Sequence, residues 1–120
     1  MEIPLMNSSN IHPIVPVSLQ PTTQMTHWQI HQVTRRDGAV EHHLVGRADG
    51  EGRVSSTLLH VDVAQRRVTT RSGRVYWLAG DPGTDSDAQY VWNWWLDFHQ
   101  AVAGGVVKLA DLADLVNLGN

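Results

Sequence analysis

The sequence predicts an α+β fold: an antiparallel meander sheet of about five strands, one Trp-rich helix packed on it, and a short C-terminal helix. Three observations predict it. Runs rich in Val, Thr and His between Thr26 and Ala79 are broken by Gly-containing turns. Their connections are short, and short connections join neighbouring antiparallel strands. A tryptophan-dense stretch then follows a cluster of helix-capping residues. The chain has 120 residues, 42% of them hydrophobic and 18% charged, which suits one folded core and excludes a disordered chain or a coiled coil.

Residues 1–25 read as an extended, Pro-containing N-terminal arm, and 26–120 as a single α+β domain. Pro4, Pro13, Pro16 and Pro21 break helices and hold the residues before them extended. The first strand follows, with Trp28, Ile30 and Val33. Asp37-Gly38 is the strongest short-range hairpin signal in the chain. A two-residue turn there pairs Val33 with His42, His31 with Leu44 and Ile30 with Val45. Ala39 to Arg47 is the return strand, and 48–52 form a loop. Val54 to Val63 reads as one longer strand. Val68 to Arg71 and Arg74 to Ala79 form a second hairpin across Ser72-Gly73, with Arg71 opposite Arg74.

Asp81-Pro82-Gly83 ends the sheet. Thr84, Asp85, Ser86 and Asp87 can all cap a helix, and their acids suit the positive end of its dipole. The helix is predicted from about Ser86 to Ala103, where Gly104-Gly105 stops it. Leu109, Leu112, Leu115 and Val116 then recur at helical spacing, which predicts a closing helix from Val107 to Val116.

On a wheel at about 100° per residue, Val91, Trp95, Phe98 and Val102 face the sheet. Trp94 and Ala101 flank that stripe on one edge, and Trp92, Leu96 and His99 on the other. The apolar arc is wider than a surface helix needs. Trp92, Trp94 and Leu96 are therefore candidate partner-binding residues, because tryptophan is enriched at binding hot spots. At least one of Trp92 and Trp94 is expected at the surface or an interface.

The segment from Val68 through Arg71-Ser72-Gly73 to Asp81-Pro82-Gly83, with Tyr90-Val91-Trp92 after it, resembles short proteins of proteobacteria and their mobile elements over residues 53–99. These elements are structural punctuation and transfer no functional residues. The resemblance implies a protein that binds and blocks a host complex, as anti-CRISPR and other anti-defence inhibitors do.

All eight arginines lie between Arg35 and Arg74. That stretch carries eight positive and five negative charges, whereas the rest carries Lys108 against seven acids. Arg66, Arg67, Arg71 and Arg74 gather at the second hairpin as a second candidate patch. They would orient an acidic protein partner or, in an alternative reading, let a basic hairpin bind nucleic acid. The net charge of −3 argues against the latter.

No cysteine is present, which excludes thiol catalysis and Cys-ligated metals. His31 and His42, on one face in the predicted register, are the candidate metal ligands of a histidine-metal hydrolase. Their spacing matches no zinc motif, and no nucleophile elbow or phosphate loop occurs. The expected function is a non-enzymatic protein-binding module without cofactor, with a homodimer as one form of partnership. No apolar run is long enough to span a bilayer. With no Lys or Arg before Arg35, a secretory leader is not expected, and the expected location is cytoplasmic.

Overall fold

Strand β1 (Thr22–Thr34) is thirteen residues long and organises the molecule; the computed structural model describes residues 14–113. Along one edge β1 pairs with β2 (Val40–Ala48) in antiparallel fashion. Along the other it meets two strands in succession. Thr22–Met25 runs parallel to β6 (Val75–Leu78), and Ile30–Thr34 runs antiparallel to β7 (Val102–Val107). Between these halves β1 bends. His27 takes φ 49°, and His27 and Trp28 together oppose the single Gly46. A Cβ on Gly46 would lie 2.9 Å from the Met25 side chain and the Thr26 carbonyl, so only glycine lets the bend close.

The sheet is mixed, which corrects the purely antiparallel expectation. The run predicted from Val54 to Val63 is one direction of chain but two strands, β3 (Glu51–Val54) and β4 (Leu58–Asp62). β3 pairs with β2, and β4 pairs with β5 (Arg67–Thr70), which pairs with β6. The chain changes neighbours at Ser55, Ser56 and Thr57, all buried. The two serine hydroxyls are matched locally, whereas Thr57 Oγ1 is buried without a hydrogen-bond partner among the described residues. Leu44 N–H donates to Ser55 Oγ at 2.9 Å, Ser55 Oγ–H to the Ser56 carbonyl at 2.7 Å, and Ser72 N–H to Ser56 Oγ at 3.1 Å. Counting β3 and β4 as one course, the meander has five courses. A meander with an odd number of courses that curls until its first and last meet must join them in parallel, and β6 does meet β1 this way.

Hairpin loops correct the predicted registers. Asp49-Gly50 is the tight two-residue turn, with φ 54° and 77° at its two residues, where a longer loop was expected. Asp37-Gly38 instead belongs to a three-residue loop. Arg35 N–H reaches the Ala39 carbonyl, and Gly38, at φ 90°, closes it. Arg71-Ser72-Gly73 repeats this loop, so Thr70, not Arg71, opposes Arg74. These two three-residue loops are each one residue longer than predicted, and a one-residue slip moves side chains to the opposite face.

Two hydrophobic clusters result. Met25, Trp28, Ile30, Leu44, Leu58, Val68, Tyr76 and Leu78 fill the inside of the curl, with Leu112 closing one end. Helix α1 (Ser86–His99) packs outside, burying Ala88, Val91, Trp92 and Trp95 against Val33, Val45 and Val54. Asp85 caps it, accepting from Ala88 N–H at 2.9 Å, and also receives Arg47 Nη1 at 2.9 Å. Gly52 lets the first turn sit on β3, since a Cβ there would come within 2.3 Å of the Ala88 nitrogen. Gln100, in the left-handed region, ends α1 earlier than predicted.

Residues 102–107 are thus a strand rather than the end of the helix and a loop. The predicted closing helix is a 3₁₀ turn at Leu109–Leu112, with Val107 ending β7; its residues 114–116 lie outside the described residues, as do residues 1–13 of the predicted arm. The described end of that arm is in part sheet, because β1 begins at Thr22.

Candidate functional site

The true register places His31 directly opposite His43, and Val33 opposite Glu41. All four residues therefore lie under α1. His42 pairs with Gln32 on the reverse face, with its Nε2 3.2 Å from Gln32 Oε1. His31 and His42 do not converge, which corrects the predicted placement on one face. Among the described residues, no group of three or more His, Cys, Asp or Glu side chains could hold a metal ion.

A cluster of rings stands beneath the helix. The Trp92 and Trp95 indoles are stacked, centroids 5.2 Å apart. The His31 ring lies 5.1 Å from Trp92, and the His43 ring 4.5 Å from Trp95. His99 covers Trp95 at 4.3 Å, and the Arg35 guanidinium lies 5.7 Å from the same indole. At the floor, His43 Nδ1 donates to the Ser55 carbonyl at 2.8 Å, and its Nε2 faces Glu41 Oε1 at 3.1 Å. Arg35 Nη1 reaches the same carboxylate oxygen at 3.4 Å. The His43 and Glu41 side chains are 2% and 9% exposed, so this is a buried polar cluster.

The environment shifts these groups in consistent directions. Burial alone would raise the Glu41 carboxyl. The hydrogen bond from His43, with the charges of His43, Arg35 and Arg71, outweighs it and holds the group below its ordinary value. Burial pushes His31 down. Burial, then the charge of His43, pushes His42 down. Burial, then the charges of Arg35 and His43, pushes His99 down against the opposing pull of Glu41.

The predicted partner-binding residues scatter. Trp92 is 2% exposed and belongs to the core. Trp94 and Leu96 are half-buried against the helix-side cluster. Arg66 lies over the Trp28 indole at 5.6 Å and donates to the Gly80 carbonyl. Arg67 lies over Trp77 at 4.6 Å and bonds Gln65. Arg74 is fully buried and donates to the Val15 carbonyl. Arg71 is exposed, Arg66 and Arg67 are half-buried, and Arg74 is withdrawn from the surface.

A different surface emerges where α1 passes into β7. Phe98, placed by the helical wheel toward the sheet, is 61% exposed and stacks on Trp94 at 4.9 Å. Val102 and Val106 are 68% and 55% exposed. From Ala101 to Val107 the chain carries no charge. β7 pairs with β1 along one edge, and no strand among the described residues pairs with the other. Sequence reasoning missed this surface because it carried the helix to Ala103 and counted Phe98 and Val102 as core. It missed Glu41 and His43 through the register slip.

Among the described residues no helix is long and apolar enough to cross a membrane. A scan against protein-family models and searches of curated proteins and of solved structures found no match.

Proposed function

We propose that this chain is a non-enzymatic binding module that meets a protein partner through the exposed apolar residues Phe98, Val102 and Val106, where the helix end runs into the edge strand, with Trp94 supporting Phe98. One observation carries the reading: three large apolar side chains, each more than half exposed, lie along an uncharged stretch of helix end and edge strand. Exposed apolar surface of this kind marks contact sites, and an unpaired edge offers backbone groups to a partner. The Gly104-Gly105 bulge, with Gly105 at φ 92°, interrupts the edge and restricts strand pairing to short stretches. Side-chain contact is then the main source of affinity. A second copy of the chain and an unrelated protein are both partners of this chemistry.

The test compares the wild type with Phe98→Ser and Val106→Thr by light scattering over a concentration series and by capture from nuclease-treated host lysate. Truncating a hot-spot aromatic weakens association by about 1–2 kcal/mol or more. The expected result is association by the wild type that both substitutions reduce while the melting temperature is kept. A wild type that stays monomeric and captures nothing, or association indifferent to both substitutions, would overturn the reading.

A further inference from the structure

Helix α1 is held at its two ends by different chemistry. Its first turn is fixed by the Asp85 cap, the Arg47 bridges to Asp85 and Asp87, and the close seat on Gly52. Its second half rests on the Trp92–Trp95 stack, which is ringed by ionisable groups. These are His31 from β1, Arg35 from the β1–β2 loop, Glu41 and His43 from β2, and His99 from α1 itself. Arg71, from the β5–β6 loop, adds its charge at Glu41.

Among these groups Glu41 is the sole carboxylate, and it is already engaged. The Ser55 carbonyl can only accept from His43 Nδ1, and Oε1 of Glu41 is an acceptor facing Nε2. Arg35 takes up the same carboxylate oxygen. A proton on His31 or His99 therefore adds a cation beside a carboxylate that His43 and Arg35 already engage. An indole face attracts a cation. Burial lowers the proton affinity of both imidazoles, and at His99 the charges of Arg35 and His43 add to it.

We infer that the second half of α1, Trp92 to His99, is a proton-released element: protonation of His31 and His99 lifts it from β1 and β2 while the core inside the curled sheet stays folded. That inner core is a separate cluster on the other face of the sheet and contains no histidine or carboxylate. The device is independent of the partner surface proposed above, although Phe98 rides on the released segment.

Near-ultraviolet circular dichroism reads the stacked indoles, and far-ultraviolet dichroism reads the sheet. On acidification from about pH 8 to 5, across the ordinary histidine range, the near-ultraviolet signal is expected to fall in a separate transition before the sheet signal. The double variant His31→Gln, His99→Gln should keep the indole signal to lower pH. Coincident loss of both signals in the wild type, or an unmoved midpoint in a folded double variant, would overturn the inference. Should that variant fail to fold, amide exchange of the wild type decides, corrected for intrinsic rates. Opening enhanced at 92–99, with Met25, Ile30 and Leu44 unchanged, supports release. Uniform enhancement, or none, overturns it.

Discussion

Glu41 and His43 point from alternate positions of β2 to the same side of the sheet, and their side chains meet at 3.1 Å beneath the Trp95 indole. The His43 ring in turn meets the helix above through Trp95, at 4.5 Å. The energetics follow from burial: the Glu41 carboxylate has left water, so it depends on the donors beside it. Replacing His43 by Ala leaves the Glu41 carboxylate with Arg35 alone. Loss of one partner of a buried pair costs about 3–5 kcal/mol. Urea denaturation monitored by tryptophan fluorescence should show His43→Ala destabilised to that degree. A loss under about 1 kcal/mol, the range of exposed pairs, would show that water reaches the carboxylate freely.

Gly52 and Gly50 test two different reasons for glycine. At Gly52 an added methyl collides with backbone at the start of α1, which cannot yield as a side-chain tip can. At Gly50 nothing lies within 4 Å, but φ is 77°. Gly52→Ala should cost about 1–3 kcal/mol or more through overpacking, and Gly50→Ala about 1–2 kcal/mol through the left-handed backbone. Thermal melts should rank them in that order. Only Gly52→Ala should also alter the near-ultraviolet spectrum, because only it displaces the helix.

Much of this architecture was legible in the sequence. The hairpin turns, the capping cluster at Asp85 and the change from strands to a Trp-rich helix all correspond to observed elements. Faces were harder to read. Asp37-Gly38 has the composition of a two-residue turn, yet it sits in a three-residue loop, and the two choices differ by one position in register. That single position exchanged His42 for His43 beside His31 and hid the cluster under α1. The parallel pairing of β1 and β6 has no local signal, since it follows from the number of courses and from the curl that brings Met25 to Leu78. Phe98 was misplaced because the wheel assumes a sheet beneath the whole helix, whereas this residue lies in the last turn, exposed and stacked on Trp94.

Acid should destabilise the fold in two stages. His31, His42 and His99 all bind protons less readily when folded. In the window from their ordinary value of 6.5 down to their lowered values, the unfolded chain binds more protons, so stability falls as pH falls. Glu41 acts lower. Its stabilisation is fully present above its ordinary value of 4.5 and is lost as pH drops through the depressed one. Denaturation midpoints between pH 7.5 and 5 should decline, and His42→Gln should flatten the decline without changing the indole dichroism. An increase in stability over that interval would contradict the shifts.

Asp85 both caps α1 and receives Arg47. Asp85→Ala removes the acceptor for the Ala88 amide, and loss of such a cap costs about 1 kcal/mol, up to about 2. Asp85→Asn keeps a capping oxygen but gives up the ion pair. The Asn variant should recover most of the stability, since the Arg47 side chain is 35% exposed and a pair of that kind contributes little. Equal losses in the two variants would transfer the main role from the cap to the charge.

Trp92 and Phe98 provide the sharpest separation between core and contact surface. Both lie on the second half of α1, yet Trp92 is 2% exposed and Phe98 is 61% exposed. Trp92→Ala empties a site packed by His31, His43 and Trp95, so a loss of about 3–5 kcal/mol is expected. Any change in partner binding by that variant should then track its unfolded fraction and vanish at a temperature where it is folded. Phe98→Ser removes a ring that touches Trp94 and His99 at the surface. Its stability should shift by less than about 1 kcal/mol, as most surface substitutions do, and its binding should weaken at every temperature. Parallel calorimetric melts and association measurements on the two variants check both halves. If Phe98→Ser also unfolded the protein, the ring would belong to the core, and the exposed apolar set would lose its largest residue.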